Sequence, residues 1–324
     1  MLHFCCYEHC LKSERLDWLN SIDFLLKILY CMSKNISVVR SWDYIIKPYS
    51  SFFELNLKEL WHARDLIRMF VKRHFILAYK QTILGPLWFI IQPIFTTLMF
   101  MFIFGKLAGI PTDGVPHILF YMSGIVCWAY FADCLVSTSE TFRANKHIFG
   151  KVYFPRLSIP VCLVIFFMIK FGVQFGLLWL IYIYYLWQGT WYGIELTGLN
   201  PNLYLLLLPV LLLAMAALGM GFGLIAASLT NRYRDLIYLV SFIMQLWMYI
   251  TPIIYPLSKA PSEYRWILII NPVSAIIETF KYAMFSQGTL DWYALAYSFT
   301  FAGFILYFGI LIFHRVERDF IDVI

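Results

Sequence analysis

Four charged side chains stand inside long apolar stretches: Asp133, Lys170, Glu278 and Lys281. A charge near the centre of a bilayer costs roughly 2.5–3.5 kcal/mol on insertion scales, so each must face protein or a wet cavity. Glu278 and Lys281 lie three apart and can pair across one helical turn. Asp133 sits close to the end of its segment, where solvent relieves it. For Lys170 two readings stay open, a structural pair with a carboxylate or a contact to something transported. The other reactive residues form no known constellation. There is no GxxxxGK[ST] loop, no HExxH and no GxSxG. Cys5, Cys6 and Cys10 with His3 and His9 lack the second spaced pair of a zinc site. Cys127, Cys134 and Cys162 read as small buried hydrophobes, and His117 and His147 as interfacial polar groups. No metal site and no catalytic residue is expected.

The elements that hold these residues are set by composition. Of 324 residues, 61% are apolar and 14% charged, and the mean hydropathy is +0.71. Soluble domains carry about a quarter charged residues, so the chain reads as an all-α integral membrane protein. Six spans follow from apolar runs near the ~20 residues a bilayer needs: residues 83–104, bent at Pro93, then 118–137, 157–187, 203–228, 236–250 and 293–313. Gly219 and Gly223 form a small-xxx-small face for close packing. Residues 264–270 and 272–284 are each too short to span and are split by Asn271-Pro272. Pro272 suits a helix start, so a pair of short re-entrant helices is expected before the last span, as a gate.

Residues 56–75 predict a basic amphipathic interface helix capped by Asn56 with Glu59. Leu60, Ala63, Leu66, Ile67, Phe70 and Val71 share its apolar arc. Residues 1–50 read as a cytoplasmic extension, and residues 51–324 as the transmembrane domain. Twenty of the 25 lysines and arginines fall on one side of this topology, which places both termini in the cytoplasm. The net charge of +6 is accounted for by that rule, and no nucleic-acid partner is expected. Aromatics make up 19% of the chain. Trp88, Phe89, Tyr121, Trp128, Trp247 and Tyr249 are candidates for a passage on which sugar rings could stack. The loop at residues 139–155 predicts a short polar helix, Glu140–His147, ended by Gly150. Its Glu140, Phe142, Arg143, Asn145, Lys146 and His147 are placed to dock into a cytoplasmic partner, with Phe142 expected to be exposed.

The run Tyr79-Lys80-Gln81-Thr82-Ile83-Leu84-Gly85-Pro86-Leu87-Trp88 and the FGKVYFPR stretch at residues 149–156 carry a resemblance. Over residues 51–324 the chain resembles the membrane (permease) subunit of ATP-binding-cassette exporters of lipid-linked polysaccharide, the O-antigen, capsule and teichoic-acid class. That resemblance implies a non-enzymatic subunit of the bacterial inner membrane that forms a channel as a homodimer. It implies two copies of a separate ATPase carrying the ATP and magnesium, with no cofactor in this chain. It makes the Glu140–His147 helix the ATPase-coupling helix, and Lys72, Arg73 and Lys80 candidates for a pyrophosphate or lipid headgroup. The cargo implied is a polyprenyl-pyrophosphate-linked glycan. The alternatives are a small-lipid or drug exporter permease of the same superfamily and a membrane-embedded glycosyl- or phosphotransferase. The enzyme would need clustered carboxylates in loops facing one side, and the loops opposite the basic ones are short and nearly charge-free.

Overall fold

A computed structural model of the chain describes residues 57–80, 82–149, 154–192, 202–233, 235–259, 261 and 263–321. The extension at residues 1–50, the Asn56 cap and Gly150 lie outside the described residues. Everything described is helix, turn or loop, with no strand among these residues. Two helices lead in, α1 (Leu57–His62) and α2 (Arg64–Tyr79), divided at Ala63. The interface helix therefore has a joint and extends four residues beyond its expected end. A 3₁₀ turn, Gly85–Leu87, starts α3 (Trp88–Phe100), which runs through Pro93 and into a π-helical turn at Met101–Leu107. Next come α4 (His117–Ser139), the short α5 (Thr141–Ala144) and α6 (Lys146–Phe149), and the long α7 (Ser158–Tyr192).

The second half holds α8 (Leu208–Arg232), entered through a 3₁₀ turn at Leu203–Leu207, and α9 (Leu236–Ile250). Two further pieces, α10 (Arg265–Ile270) and α11 (Pro272–Phe285), precede the final helix α12 (Trp292–Ile321). Among the described residues, five segments are long and apolar enough to cross a membrane: Gly85–Leu107, His117–Ser139, Ser158–Trp187, Leu203–Arg232 and Trp292–Val316. Helix α9 is apolar but only 15 residues long, short of the ~20 that span.

Helix α4 is the axis of the bundle, packed by α3, α7, α8 and α11. Its burial all round removes the amphipathic signature expected of a surface helix. Helix α8 lies between α4 and α12, and glycine makes both approaches possible. A Cβ on Gly219 would stand 2.8 Å from Cys134 Cβ, and one on Gly223 2.6 Å from Thr138 Cβ. On its other face, a Cβ on Gly221 would stand 2.8 Å from the Leu306 backbone nitrogen. Small residues at such crossings let backbones meet where no hydrophobic force drives association.

The two bundle ends differ. At one end lie the basic loop of α5 and α6 and the end of α12; at the other lie α10, α11 and the start of α12. At this second end Asn271 accepts from Val273 N at 3.1 Å to cap α11, and its amide donates to Thr251 Oγ1 at 3.0 Å. Pro272 takes the first helical position, as its missing N–H favours. Twelve of the fourteen α11 residues are buried, so the helix belongs to the core rather than to a surface loop.

Candidate functional site

The basic end is built on an aromatic floor. Ile67 and Phe70 of α2, Phe142, Phe149, Phe154 and Phe313 are buried in one cluster with the start of α7. Phe142 is 2% exposed and stacks on Phe313 with centroids 4.6 Å apart. This corrects the expected docking surface: Phe142 is the anchor of the loop and presents nothing to a partner. The physical reason is that α12 returns a phenyl ring to this point, 171 positions later in the chain. Among the described residues, the loop exposes Arg143, Ala144 and Lys146. Arg143 reaches Glu140 at 3.4 Å, and Asn145 donates to the Thr141 carbonyl at 3.1 Å between the two short helices. The His147 side chain lies outside the described residues. Arg156, almost buried, sits 5.1 Å above the Phe149 ring.

Helix α2 covers this floor with its apolar arc and turns Lys72 and Arg73 outward, with exposed Lys80 at its C-cap. Trp61, Met69 and Ile76 are exposed beside these cations, the mixture that suits a lipid interface. His74 lies under the Phe166 ring at 6.0 Å. Burial, with Arg73 beside it, holds its imidazole below the usual histidine range.

Lys170 and Asp133 meet at 2.6 Å, so the structural pair open in the sequence is formed. The ammonium also lies 5.6 Å from the Phe89 ring and 6.0 Å from that of Phe167. Gln174, on the same helix as Lys170, donates to the Phe89 carbonyl at 3.2 Å. The ion pair joins α7 to α4, and the contacts to Phe89 fasten the start of α3 to α7.

Lys281 does not bond to Glu278 as the three-residue spacing suggested. The residue is 3% exposed, and its ammonium donates to the Pro252 carbonyl at 2.7 Å and lies 3.8 Å over the Phe120 ring. The turn after α9 supplies carbonyls without helical partners, and these outcompete a carboxylate on the same helix face. Glu278 is left 5% exposed, and its Oε1 has no hydrogen-bond partner among the described residues. Cys127, Cys134 and Cys162 are buried free thiols.

The six aromatic candidates divide. Tyr121 and Trp128 are buried within the chain, Trp128 packing on Phe131 at 5.4 Å. Neither has a surface to offer a passage, because α4 is covered on all sides. Trp247 is half-buried, edge-on to Phe131 and Phe222 at 5.3 and 5.5 Å, and Phe89 is half-buried against Tyr79 at 5.4 Å. Trp88 and Tyr249 are exposed. Tyr249 belongs to a stripe the sequence reading passed over: Tyr238, Phe242, Gln245 and Tyr249 are all exposed on α9. Their spacing of four, three and four residues, which puts them on one helix face, was the available signal.

Residues 65–285 match the family described as ABC-2 type transporter. Among curated proteins, the chain is 26% identical over 262 residues to the O-antigen export system permease protein RfbA of Klebsiella pneumoniae, covering 80% of this chain and 95% of that protein. It is 24% identical over 237 residues to the protein of the same name from Myxococcus xanthus, covering 72% and 85%. It is 21% identical over 235 residues to the polysialic acid transport protein KpsM of Escherichia coli, covering 72% and 87%.

Proposed function

The chain belongs to the ABC-2 type transporter family, and from that premise we propose that it is the permease subunit of an ATP-driven exporter of polyprenyl-linked polysaccharide. In this reading two copies form the channel in the bacterial inner membrane. A separate ATPase, also in two copies, binds ATP and magnesium. The basic end faces the cytoplasm with both termini, as the lysine and arginine distribution favours. Helix α9 is a sixth, shortened span, and α10 with α11 is a re-entrant pair at the outer face.

The observation that carries the reading is the joining of two facts. Relatives matched over most of their length are named as permeases of O-antigen export, and the basic end exposes a compact cationic step, Arg143 to Lys146, on a rigid aromatic floor. A rigid step transmits a partner's movement where a loose loop would absorb it. Helices α5 and α6 are accordingly the coupling element. Lys72, Arg73 and Lys80 meet the pyrophosphate or lipid headgroups. The exposed stripe Tyr238, Phe242, Gln245 and Tyr249 supplies weak, repeated contacts for a sliding glycan, as passage through a pore requires contacts that also release.

The test is purification from native membranes through a C-terminal tag, followed by mass spectrometry of the accompanying chains. A stoichiometric partner with a Walker motif is expected. Reproducible recovery of the chain alone, with other membrane complexes intact, would sink the exporter reading and favour the enzyme alternative.

A further inference from the structure

The enclosure of α4 that assigns Tyr121 and Trp128 to packing is complete over residues 119–128, all of them buried. Nearer the basic end it breaks, and along one line only. Ala129, Ala132, Asp133, Val136, Ser137 and Glu140 are half-buried, while the residues between them stay buried. Steps of three, one, three, one and three residues keep these six on one face. Tyr130 packs on Phe171 of α7, and Trp128 and Phe131 pack on Trp247 of α9. Cys134 and Thr138 meet the glycines of α8 behind, so the open face lies between α7 and α9. It starts at Glu140, beside exposed Arg143, and runs to Ala129, about 16 Å at 1.5 Å per residue.

This face differs from the rest of the bundle surface. The exposed side chains of α3 and α7 are large and apolar, Phe95, Leu98 and Met99 on one and Ile165, Met168 and Ile169 on the other, as lipid requires. The open face of α4 has two alanines, a serine, two carboxylates and one valine. Asp133 lies six residues before the end of its helix, about 9 Å along it. Its side chain keeps 32% of its exposure, and that of Lys170, paired with it at 2.6 Å, keeps 14%. Ionisable groups within spans almost always face the bundle interior or a water-filled cavity. At that exposure Asp133 is not in the interior. Lipid would meet a carboxylate there. A second copy would desolvate the ion pair, which its own attraction repays only when further hydrogen bonds complete it. Water is the occupant that carries neither penalty.

We propose that this face of α4 lines a water-filled vestibule that enters the bundle from the basic end and stops below Trp128, with the Asp133–Lys170 pair on its wall. The assignment rests on the export reading above and adds to it a hydrated inner approach on α4, apart from the aromatic stripe of α9.

Cysteine accessibility tests it. Ala129→Cys, Ala132→Cys and Ser137→Cys each change a half-buried side chain by one atom, and Met168→Cys on α7 is the lipid-facing control. Inside-out membrane vesicles are treated with a trimethylammonium methanethiosulfonate, which does not cross lipid. Modification is read peptide by peptide by mass spectrometry, so the native cysteines do not contribute. The reagent attacks the thiolate, which forms in water and not in lipid, so the α4 positions are expected to react about tenfold or more faster than Met168→Cys. Rates no faster than the control, whether lipid or a second copy covers the face, overturn the proposal. So does reaction at Ser137→Cys alone, which fraying at the helix end would give, and so does reaction confined to right-side-out vesicles. The ATPase co-purification is read separately. A missing partner ends the exporter reading and leaves the wet face standing, whereas a partner found with slow modification ends the vestibule alone.

Discussion

The ring of Phe142 lies on the ring of Phe313, 4.6 Å between centroids and 23° between planes. This contact joins the loop after α4 to the end of the last helix and leaves Arg143 as the outward group of that loop. The two neighbours therefore fail in different ways. Phe142→Ala removes a buried ring and is expected to cost about 3–5 kcal/mol, read as a large drop in the temperature at which the purified chain loses its monodisperse peak. Phe142→Leu keeps most of the volume and costs less. Arg143→Glu should leave that temperature nearly unchanged, because its bond to Glu140 is an exposed one worth roughly 0–1 kcal/mol. It should instead weaken association with the ATPase by about tenfold, the effect of ~1.4 kcal/mol. Equal binding of wild type and Arg143→Glu would remove the coupling role from this loop.

Gly221 and Gly303 make a matched pair for testing the α8 crossing. A Cβ on Gly221 meets Ile305 and Leu306 atoms at 2.7–2.9 Å, backbone included, whereas one on Gly303 meets nothing within 4 Å. Backbone cannot swing aside, so Gly221→Ala is expected to cost about 1–3 kcal/mol by overpacking. Gly303→Ala should be neutral or slightly stabilising, since alanine is the better helix former. Thermal stability of the two variants in one detergent decides it. Equal stability would mean that α8 and α12 do not approach as closely as their glycines allow.

The fold was legible wherever a local rule governs it. Apolar length placed five of the six expected spanning segments, Asn271-Pro272 marked the start of α11, and the Gly219–Gly223 spacing identified a packing face. What was not legible depended on contacts distant in sequence. Nothing near Phe142 signals that Phe313 will cover it. Tyr121 and Trp128 have the same composition as lining aromatics, and only the enclosure of α4 by its neighbours assigns them to packing. Lys281 illustrates the limit best. Its spacing to Glu278 permits a helical pair, but the carbonyl of Pro252 is nearer, and that carbonyl is free only because the chain turns after α9. With that pair absent, Glu278 Oε1 has no hydrogen-bond partner among the described residues, a feature no sequence pattern encodes.

His74 gives the basic end a pH dependence of known sign. Burial first, and Arg73 second, hold its imidazole below the usual range, so the folded chain resists a proton that the unfolded chain accepts near pH ~6.5. Stability therefore falls as pH drops through that value, and stops falling only once the folded form is protonated as well. Carboxylates elsewhere titrate in the same direction at lower pH, so the readout is a difference. Between pH 7.5 and 5.5 the wild type should lose more thermal stability than His74→Gln, which has nothing to titrate at that position. Parallel curves would place His74 in contact with solvent instead of beneath Phe166.

Asp133 and Lys170 invite a double-mutant cycle, since their 2.6 Å contact gives each a reason to be charged within an apolar bundle. Removing one partner of a fully buried pair costs about 3–5 kcal/mol because the other charge is stranded. Here the effect is smaller, as the Asp133 side chain keeps 32% of its exposure and Lys170 14%. Asp133→Asn alone leaves the ammonium facing a neutral amide and the rings of Phe89 and Phe167, without a counter-charge, and Lys170→Met alone strands a carboxylate. The double variant strands neither, so it should be more stable than either single one, with a coupling within the range of about 0.5–3 kcal/mol seen for contacting residues. The spacing of α4 and α7 supplies a second readout. If the pair fastens α4 to α7, a spin-label pair at Ser137 and Val173 should broaden its distance distribution in both single variants and narrow again in the double one. Additive losses with an unchanged distribution would reduce the contact to a coincidence of two solvated charges.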